Sequence, residues 1–403
     1  MVGCTVLHIL DLLLWMLMAA SAFYVIFFAW ASLLPRRKEQ TPREAATASK
    51  FLILFPAYKE DSVIIHSVET FLRQNYPGGM YRVAVISDRM QAATNEHLAA
   101  LPITLLTPSF LKSSKAMALQ YAMSQMETAA DGVAGYSHVV ILDADNVVGA
   151  DFLSRLDVVC RQGYRAIQCH RTAKNSDNDV AVLDAVSEEI NNSIFRKGHN
   201  RVGLSSALIG SGMCFSYDWF RSHVDCLDSA VEDRELESLL MKEDVFVYYA
   251  EDIPVMDEKV SSHDNFQRQR LRWMTGQVQT LLRMVPWLPT AFMRANINYI
   301  DKTLQQALIP RSILLVAVTL LTMLVTLLDA FSPLGACMSK GKWWGLLALL
   351  CLSLLLAMPA HLRTGTVLSH VLLLPRLTWR MVKNLAHINI RSKDFLHTTH
   401  GKS

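Results

Sequence analysis

Val139–Val148 reads VVILDADNVV: an apolar run, two carboxylates one residue apart, then apolar residues again. A run this short and rich in Val and Ile is the pattern of a buried strand. Asp143 and Asp145 therefore fall where the strand ends. Residues i and i+2 of an extended segment point to the same side, and like charges held side by side repel. Something cationic is expected against them. A lone Asp-x-Asp reads equally well as a solvated turn that caps the next helix, so the surrounding chain has to decide.

Outward from this stretch, Lys50 to Arg283 alternates in pattern. FLILFPAY (51–58) is an apolar strand ending at a turn, and Ile64, Val68, Phe71 and Leu72 then recur with helical spacing. YRVAVISD (81–88) is a second strand, ending in Asp88, and ITLL (103–106) a short third. Met117, Leu119, Ala122, Met123 and Met126 stripe another helix. After HVVILDAD come a helix over Phe152 to Cys160 and the strand RAIQCH. Such alternation predicts an α/β domain with a mostly parallel, doubly wound sheet. Ligands gather at the carboxyl ends of such strands, where Tyr58, Asp88, Asp143 and Asp145 all sit. Neither G-x-G-x-x-G nor G-x-x-x-x-G-K-[ST] occurs, which argues against a dinucleotide fold or a P-loop. Gathered acids instead suit a hard cation such as Mg²⁺ or Mn²⁺, which also takes phosphate oxygens.

Further along, IGSGMCF (209–215) flanks a serine with glycines, so backbone can approach a ligand closely. AVEDRELESLL (230–240) puts Glu232 and Asp233 at a helix start, where acids also simply complement the helix dipole. NFQRQRLRWMTGQVQTLL (265–282) is helical in pattern, with Gln269, Arg272 and Trp273 on one face. A basic interfacial helix anchored by its Trp is the alternative reading there.

Of the 403 residues, 51% are hydrophobic, and mean hydropathy is +0.22. The excess is concentrated. Leu12–Leu34 carries no charge and is long enough to cross a bilayer. No basic residue precedes it and the apolar run continues past AASA, so an anchor is expected rather than a cleaved signal. Ser312–Leu328 and Trp343–Met358 are shorter uncharged runs. The expected organisation is an anchor over 1–34, a catalytic-type α/β domain over 50–283, interfacial helices over 284–311, two spans over 312–360, and a basic tail over 361–403. Arg and Lys cluster after the first and third runs, while only Lys340 and Lys342 lie between the second and third. By the positive-inside rule the domain and C-terminus are cytoplasmic and the N-terminus outside. The run Val367–Pro375 is too short to span and is expected at the interface. Seven Cys without a C-x-x-C pair signal neither a zinc site nor a disulfide framework. The net charge of +3, with no basic-aromatic stripe, gives no sign of nucleic-acid binding.

PAYKED, ISD, KAMALQ, DAD, GSGMCF, VED and QRLRW follow one another in that order, with apolar spans after the last. In this the chain resembles the membrane-bound family 2 glycosyltransferases, the group of cellulose, chitin, hyaluronan and poly-N-acetylglucosamine synthases. The resemblance runs from about Phe51 to the final span. It implies a GT-A-like, doubly wound mixed sheet inserted between transmembrane helices of a multi-pass inner-membrane protein. It also implies roles. Tyr58 and Glu60 would hold the base and ribose of a uridine diphosphate sugar, and Asp88 the uracil. Lys115 would approach the nucleotide, and Asp143 and Asp145 would hold Mg²⁺ or Mn²⁺ on the diphosphate. Asp233, with Glu232 beside it, would be the general base. Gln269, Arg270 and Arg272 would reach the diphosphate, and Trp273 would stack on an acceptor sugar. Lys59, Gln120 and Val231 stand where Asn, Asn and Thr are common in the family.

The expected reaction is metal-dependent transfer, with inversion, from a nucleotide sugar to a growing polysaccharide at the cytoplasmic membrane face. Transfer of one sugar to a lipid acceptor, such as a polyprenyl phosphate or a glycolipid, is the alternative. The partners are then the donor, a carbohydrate or lipid-linked acceptor, the bilayer, and an export subunit. The physical chemistry agrees: departure of a nucleoside diphosphate develops negative charge that a metal and arginines offset. A carboxylate base activates the weakly nucleophilic hydroxyl.

Overall fold

The computed structural model describes residues 2–36, 48–128, 135–174, 179–229, 231–259, 263–333 and 335–364. The run Val367–Pro375 and the rest of the basic tail lie outside the described residues.

The chain begins with α1 (Val2–Ala31), apolar nearly all round apart from Asp11. The α/β domain then alternates: β1 (Phe51–Tyr58), α2 (Ile64–Phe71), β2 (Tyr81–Asp88), α3 (Ala92–Ala99), β3 (Thr104–Leu106) and α4 (Lys115–Thr128). Next come β4 (His138–Ile141), β5 (Val147–Val148), α5 (Phe152–Cys160), β6 (Ala166–Ala173) and α6 (Asp179–Asn191). α6 runs directly into a π-helical stretch, Asn192–Gly198, and then α7 (His199–Val202). The domain continues with β7 (Met213–Ser216), α8 (Tyr217–His223), α9 (Glu232–Lys242) and β8 (Val247–Asp257). The long α10 (His263–Met284), then α11 (Leu288–Met293) and α12 (Ile297–Ala307), lead to α13 (Arg311–Phe331) and α14 (Lys340–Ala357).

The eight strands form one sheet in the order β3-β2-β1-β4-β7-β6-β8-β5. Its two faces explain the apolar runs. Leu52, Leu54, Val139 and Ile141 pack with Leu119 and Met123 of α4 and Leu236 of α9. Ile53, Phe55, Val83 and Val140 point the other way, onto Val68 and Phe71 of α2 and Phe152 of α5. A strand covered on both faces reads as continuous apolar sequence. The expected parallel pairing holds among β3, β2, β1 and β4 and again between β6 and β8. β7 runs antiparallel to both β4 and β6, and β5 antiparallel to β8, so the sheet is mixed. Strand direction there is set by long excursions through α6 and α9, which no periodicity records.

α1, α13 and α14 are long and apolar enough to cross a bilayer. They pack together through Ala22, Ala29, Val318, Leu346 and Leu350. The domain is seated on α1 at close range. A Cβ on Gly198 would lie 2.2 Å from the Phe28 carbonyl oxygen, so this approach requires glycine. The next residue, His199, is fully buried and stacks on Phe28 with ring centroids 3.6 Å apart. Tyr24 donates to Asp301 of α12 at 2.8 Å. At the other end of the helices Cys4 and Cys337 form a disulfide across 333 positions. This corrects the reading that no disulfide was signalled, since such a pairing leaves no trace in local spacing. Cys160, Cys169 and Cys214 are buried in the domain, whereas Cys226 is exposed.

Candidate active site

β1 and β2 end level, with Tyr58 opposite Asp88. Both chains then turn through left-handed backbone at non-glycine residues, Lys59 (φ 54°) and Arg89 (φ 55°). Such conformations cost energy and concentrate at functional sites. Asp88 is 3% exposed and its Oδ1 has no hydrogen-bond partner among the described residues, an acceptor left for something else.

Asp143 and Asp145 occupy the turn between β4 and β5. The cation expected against them is partly supplied by Lys115, at the start of α4. Its Nζ lies 2.5 Å from Asp143 Oδ1 and 3.3 Å from Glu232 Oε1, and donates to the Gly210 carbonyl at 2.6 Å. Burial lowers the lysine's proton affinity, but Asp143 and Glu232 outweigh it and leave the pKa raised. Lys115 thereby joins three separate motifs. Asn146 braces the turn by accepting from the Asp143 N–H at 2.9 Å and donating to Asp145 Oδ1 at 3.1 Å. The Glu258 N–H donates to Asp145 Oδ2 at 2.9 Å.

Among the described residues there is no group of three or more His, Cys, Asp or Glu able to hold a metal by itself. Two carboxylates are nonetheless the donor set a hard divalent cation accepts when phosphate oxygens complete its shell. Asp143 and Asp145 fit that requirement.

Across the cavity, Glu232 and Asp233 open α9. The facing backbone is Gly210, with φ +77°, where a Cβ would stand 3.6 Å from Asp233 Oδ2 and 3.8 Å from Glu232 Oε1. Burial raises the Glu232 pKa, Lys115 opposes the rise, and Asp233 adds to it. Asp233 Oδ1 accepts the Arg234 N–H at 2.9 Å.

α10 brings Gln269, Arg270, Arg272 and Trp273 to the same cavity. Arg270 bonds Asp184 of α6 at 2.5 Å and its guanidinium carbon sits 4.6 Å from the Trp273 ring centroid. One face of the indole is therefore covered by an arginine. Gln269 Oε1 is buried without a hydrogen-bond partner among the described residues.

All twelve residues singled out in the sequence line one cavity of about 410 Å³. The cavity also holds residues the sequence reading missed. Arg171 of β6 pairs with Glu188 of α6 at 2.8 Å and with Asp257 at 3.3 Å. Lys259 pairs with Asp257 at 2.7 Å and also with Glu188. Burial pushes Asp257 up to about 7 against the pull of Arg171 and Lys259, with Glu188 and Asp145 adding to the rise. Glu188 moves the other way: burial would raise it, but Arg171 and Lys259 hold it below the usual carboxylate range. Gln168 was missed too. Fully buried, it accepts from the Ile209 N–H at 3.0 Å and donates to the Ser211 carbonyl at 2.8 Å, holding the GSG loop in place.

The family model described as glycosyltransferase like family 2 matches residues 48–276. Among solved structures, the chain is similar to a mannosyltransferase from Pyrobaculum calidifontis in complex with GDP-Man and Mn²⁺. Identity is 14%, the match covers 96% of this chain and 100% of that one, and the TM-score is 0.55. At that identity the likeness shows a shared fold. A glucosyl-3-phosphoglycerate synthase from Mycobacterium tuberculosis, in complex with Mn²⁺, UDP and phosphoglyceric acid, matches at 14% identity and a TM-score of 0.40. It covers 58% of this chain and 78% of that one. Nothing among curated proteins matches this sequence.

Proposed function

The chain belongs to glycosyltransferase family 2, and from that premise we propose that it moves a sugar, with inversion, from a nucleotide donor to a growing polysaccharide at the cytoplasmic membrane face. The observation that carries this reading is the single cavity joining the strand-end acids, the Glu232–Asp233 pair and the α10 residues.

Tyr58, Glu60 and Asp88 hold the nucleoside, with the unpartnered Asp88 oxygen accepting from the base. Mg²⁺ or Mn²⁺ on Asp143 and Asp145 supplies positive charge to the donor diphosphate when bound. The GDP-Man and Mn²⁺ of the similar mannosyltransferase support a nucleotide sugar and a divalent metal. Lys115, locked between Asp143 and Glu232, stays protonated and adds fixed charge beside the phosphates. Asp233 takes the acceptor hydroxyl proton as the new oxygen–C1 bond forms and the C1–phosphate bond breaks. One base and one leaving group give a single displacement. Buried Glu232 keeps Lys115 in place. Gln269 and Arg272 face the diphosphate, and the uncovered face of Trp273 meets the acceptor.

The disulfide supports the expected orientation. Cys4 and Cys337 lie at the end of the helices away from the domain, and disulfides persist in oxidising compartments. A second reading, transfer to a lipid-linked acceptor, is favoured by Val25, Phe195, Ile309 and Pro310, which wall the cavity where α1 and α13 meet it.

Incubation of the full chain in nanodiscs with nucleotide sugars, followed by product analysis, tests this. Polymer supports the first reading and a single-sugar lipid the second. Activity should vanish with EDTA and return with Mg²⁺ or Mn²⁺, and Asp145→Asn should lose most of it while the protein still folds. Full activity without divalent metal would sink the assignment.

A further inference from the structure

The membrane end of the cavity contains a cation that the reaction described above does not use. Arg311 is the first residue of α13 and lines the cavity. Its Nη2 donates to the carbonyl and the hydroxyl of Ser187, both at 2.9 Å. Among the described residues its Nη1 is buried without a hydrogen-bond partner. Among the described residues no carboxylate pairs with it. The nearby acids are committed elsewhere: Asp184 to Arg270, and Glu188 to Arg171 and Lys259.

A part-buried guanidinium with a shielded, idle donor is costly unless something occupies it. Its planar fork matches phosphate better than any neutral group, and the amino end of a long helix also favours an anion. The surroundings narrow the source. Val25 of α1, Phe195 of the π-helical stretch, and Leu308 to Pro310 before α13 form an apolar wall at this end. A soluble anion gains nothing from that wall, whereas an acyl or isoprenyl chain does.

Resting on the glycosyltransferase reading of the same cavity, we propose that Arg311 is the subsite for a phosphate or diphosphate group carried by the acceptor on a membrane lipid. The lipid chain leaves between α1 and α13, and the phosphate holds the acceptor in register with Asp233. Arg311 is thus a specificity-determining residue for the acceptor, distinct from the groups that bind the donor.

The test uses the full chain in vesicles, as wild type, Arg311→Gln and Arg311→Lys. Acceptor probes are an isoprenyl monophosphate, a sugar-bearing isoprenyl diphosphate, the isoprenyl alcohol of the same chain length, and a neutral glycolipid. Wild type should use a phosphorylated lipid and not the alcohol. Arg311→Gln should raise KM for that lipid by about 10-fold or more, with Arg311→Lys between the two. Nucleotide affinity and acceptor-independent donor hydrolysis should stay within about twofold of wild type, which also reports correct folding. Equal use of phosphorylated and neutral acceptors by wild type overturns the proposal, and that result needs no variant. So does an equal fall in donor affinity for Arg311→Gln, which would assign the residue to the donor diphosphate. Inhibition by inorganic pyrophosphate that is independent of vesicle lipid, with no use of phosphorylated acceptors, assigns the site to a free anion instead. If wild type neither binds nucleotides nor hydrolyses any nucleotide sugar, the glycosyltransferase reading itself has failed.

Discussion

The two ends of the cavity are built in opposite ways. At the strand ends, Tyr58, Asp88, Asp143 and Asp145 each follow a buried apolar run, and their positions come from the strands that precede them. At the membrane end, Arg270, Asp184, Ser187 and Arg311 come from α6, α10 and α13 and owe their positions to one another. The first end is fixed by the pairing of β1 with β2 and β4. The second depends on how the domain sits on α1 and α13. The donor end should therefore tolerate disturbance of the helices, and the acceptor end should not.

The sharpest test separates chemistry from binding. Asp233→Asn should lower turnover by about 10²–10⁴-fold, the usual contribution of a general base, while nucleoside diphosphate affinity stays near wild type. A titration of nucleotide binding beside initial rates checks this. If binding collapses and turnover survives, the proton goes to Glu232 or another group, and the donor end extends further than described.

Trp273 stands at the boundary between the ends. Trp273→Ala removes the indole that carries Arg270 on one face and would offer the other to the acceptor. Loss of such a contact should cost about 10- to 100-fold in acceptor kcat/KM. Product should shorten or disappear, while acceptor-independent hydrolysis of the donor falls much less. Trp273→Phe should retain part of the activity. Unchanged product length and yield would leave Trp273 as a headgroup anchor only.

The smallest effect concerns the seat on α1. An alanine at Gly198 cannot coexist with the Phe28 carbonyl, so α1 or the π-helical stretch has to shift. Gly198→Ala should destabilise the protein by about 1–3 kcal/mol, as overpacking typically does. It should raise acceptor KM before it alters nucleotide affinity. Thermal denaturation in detergent, paired with both binding measurements, reads this out. A variant that loses donor affinity first would erase the proposed distinction between the ends.

How much of this was legible beforehand follows the same division. Short apolar runs ending in acids, and helical stripes between them, are local signals, because burial on a sheet or a helix face repeats every two or 3.6 residues. That was enough for the strand–helix alternation, the three apolar helices and the acids at the strand ends, whereas Glu60, Lys115 and Arg270 entered only through the family resemblance. Arg171, Glu188, Asp257 and Lys259 were not legible, since each is an ordinary polar residue until chain closure supplies its partner. Nor was the bond between Cys4 and Cys337, which requires α13 and α14 to return beside α1.

The sequence by itself determined the elements and the ends at which their acids lie, because those depend on interactions within one helix or strand. Only the tertiary structure decided that β7 enters antiparallel, that Lys115 bridges Asp143 and Glu232, and that Arg311 keeps a donor without a partner among the described residues. Each depends on segments tens to hundreds of positions apart meeting in one place. Such contacts are set by the packing of whole elements, and the energy of a buried charge depends on what stands against it.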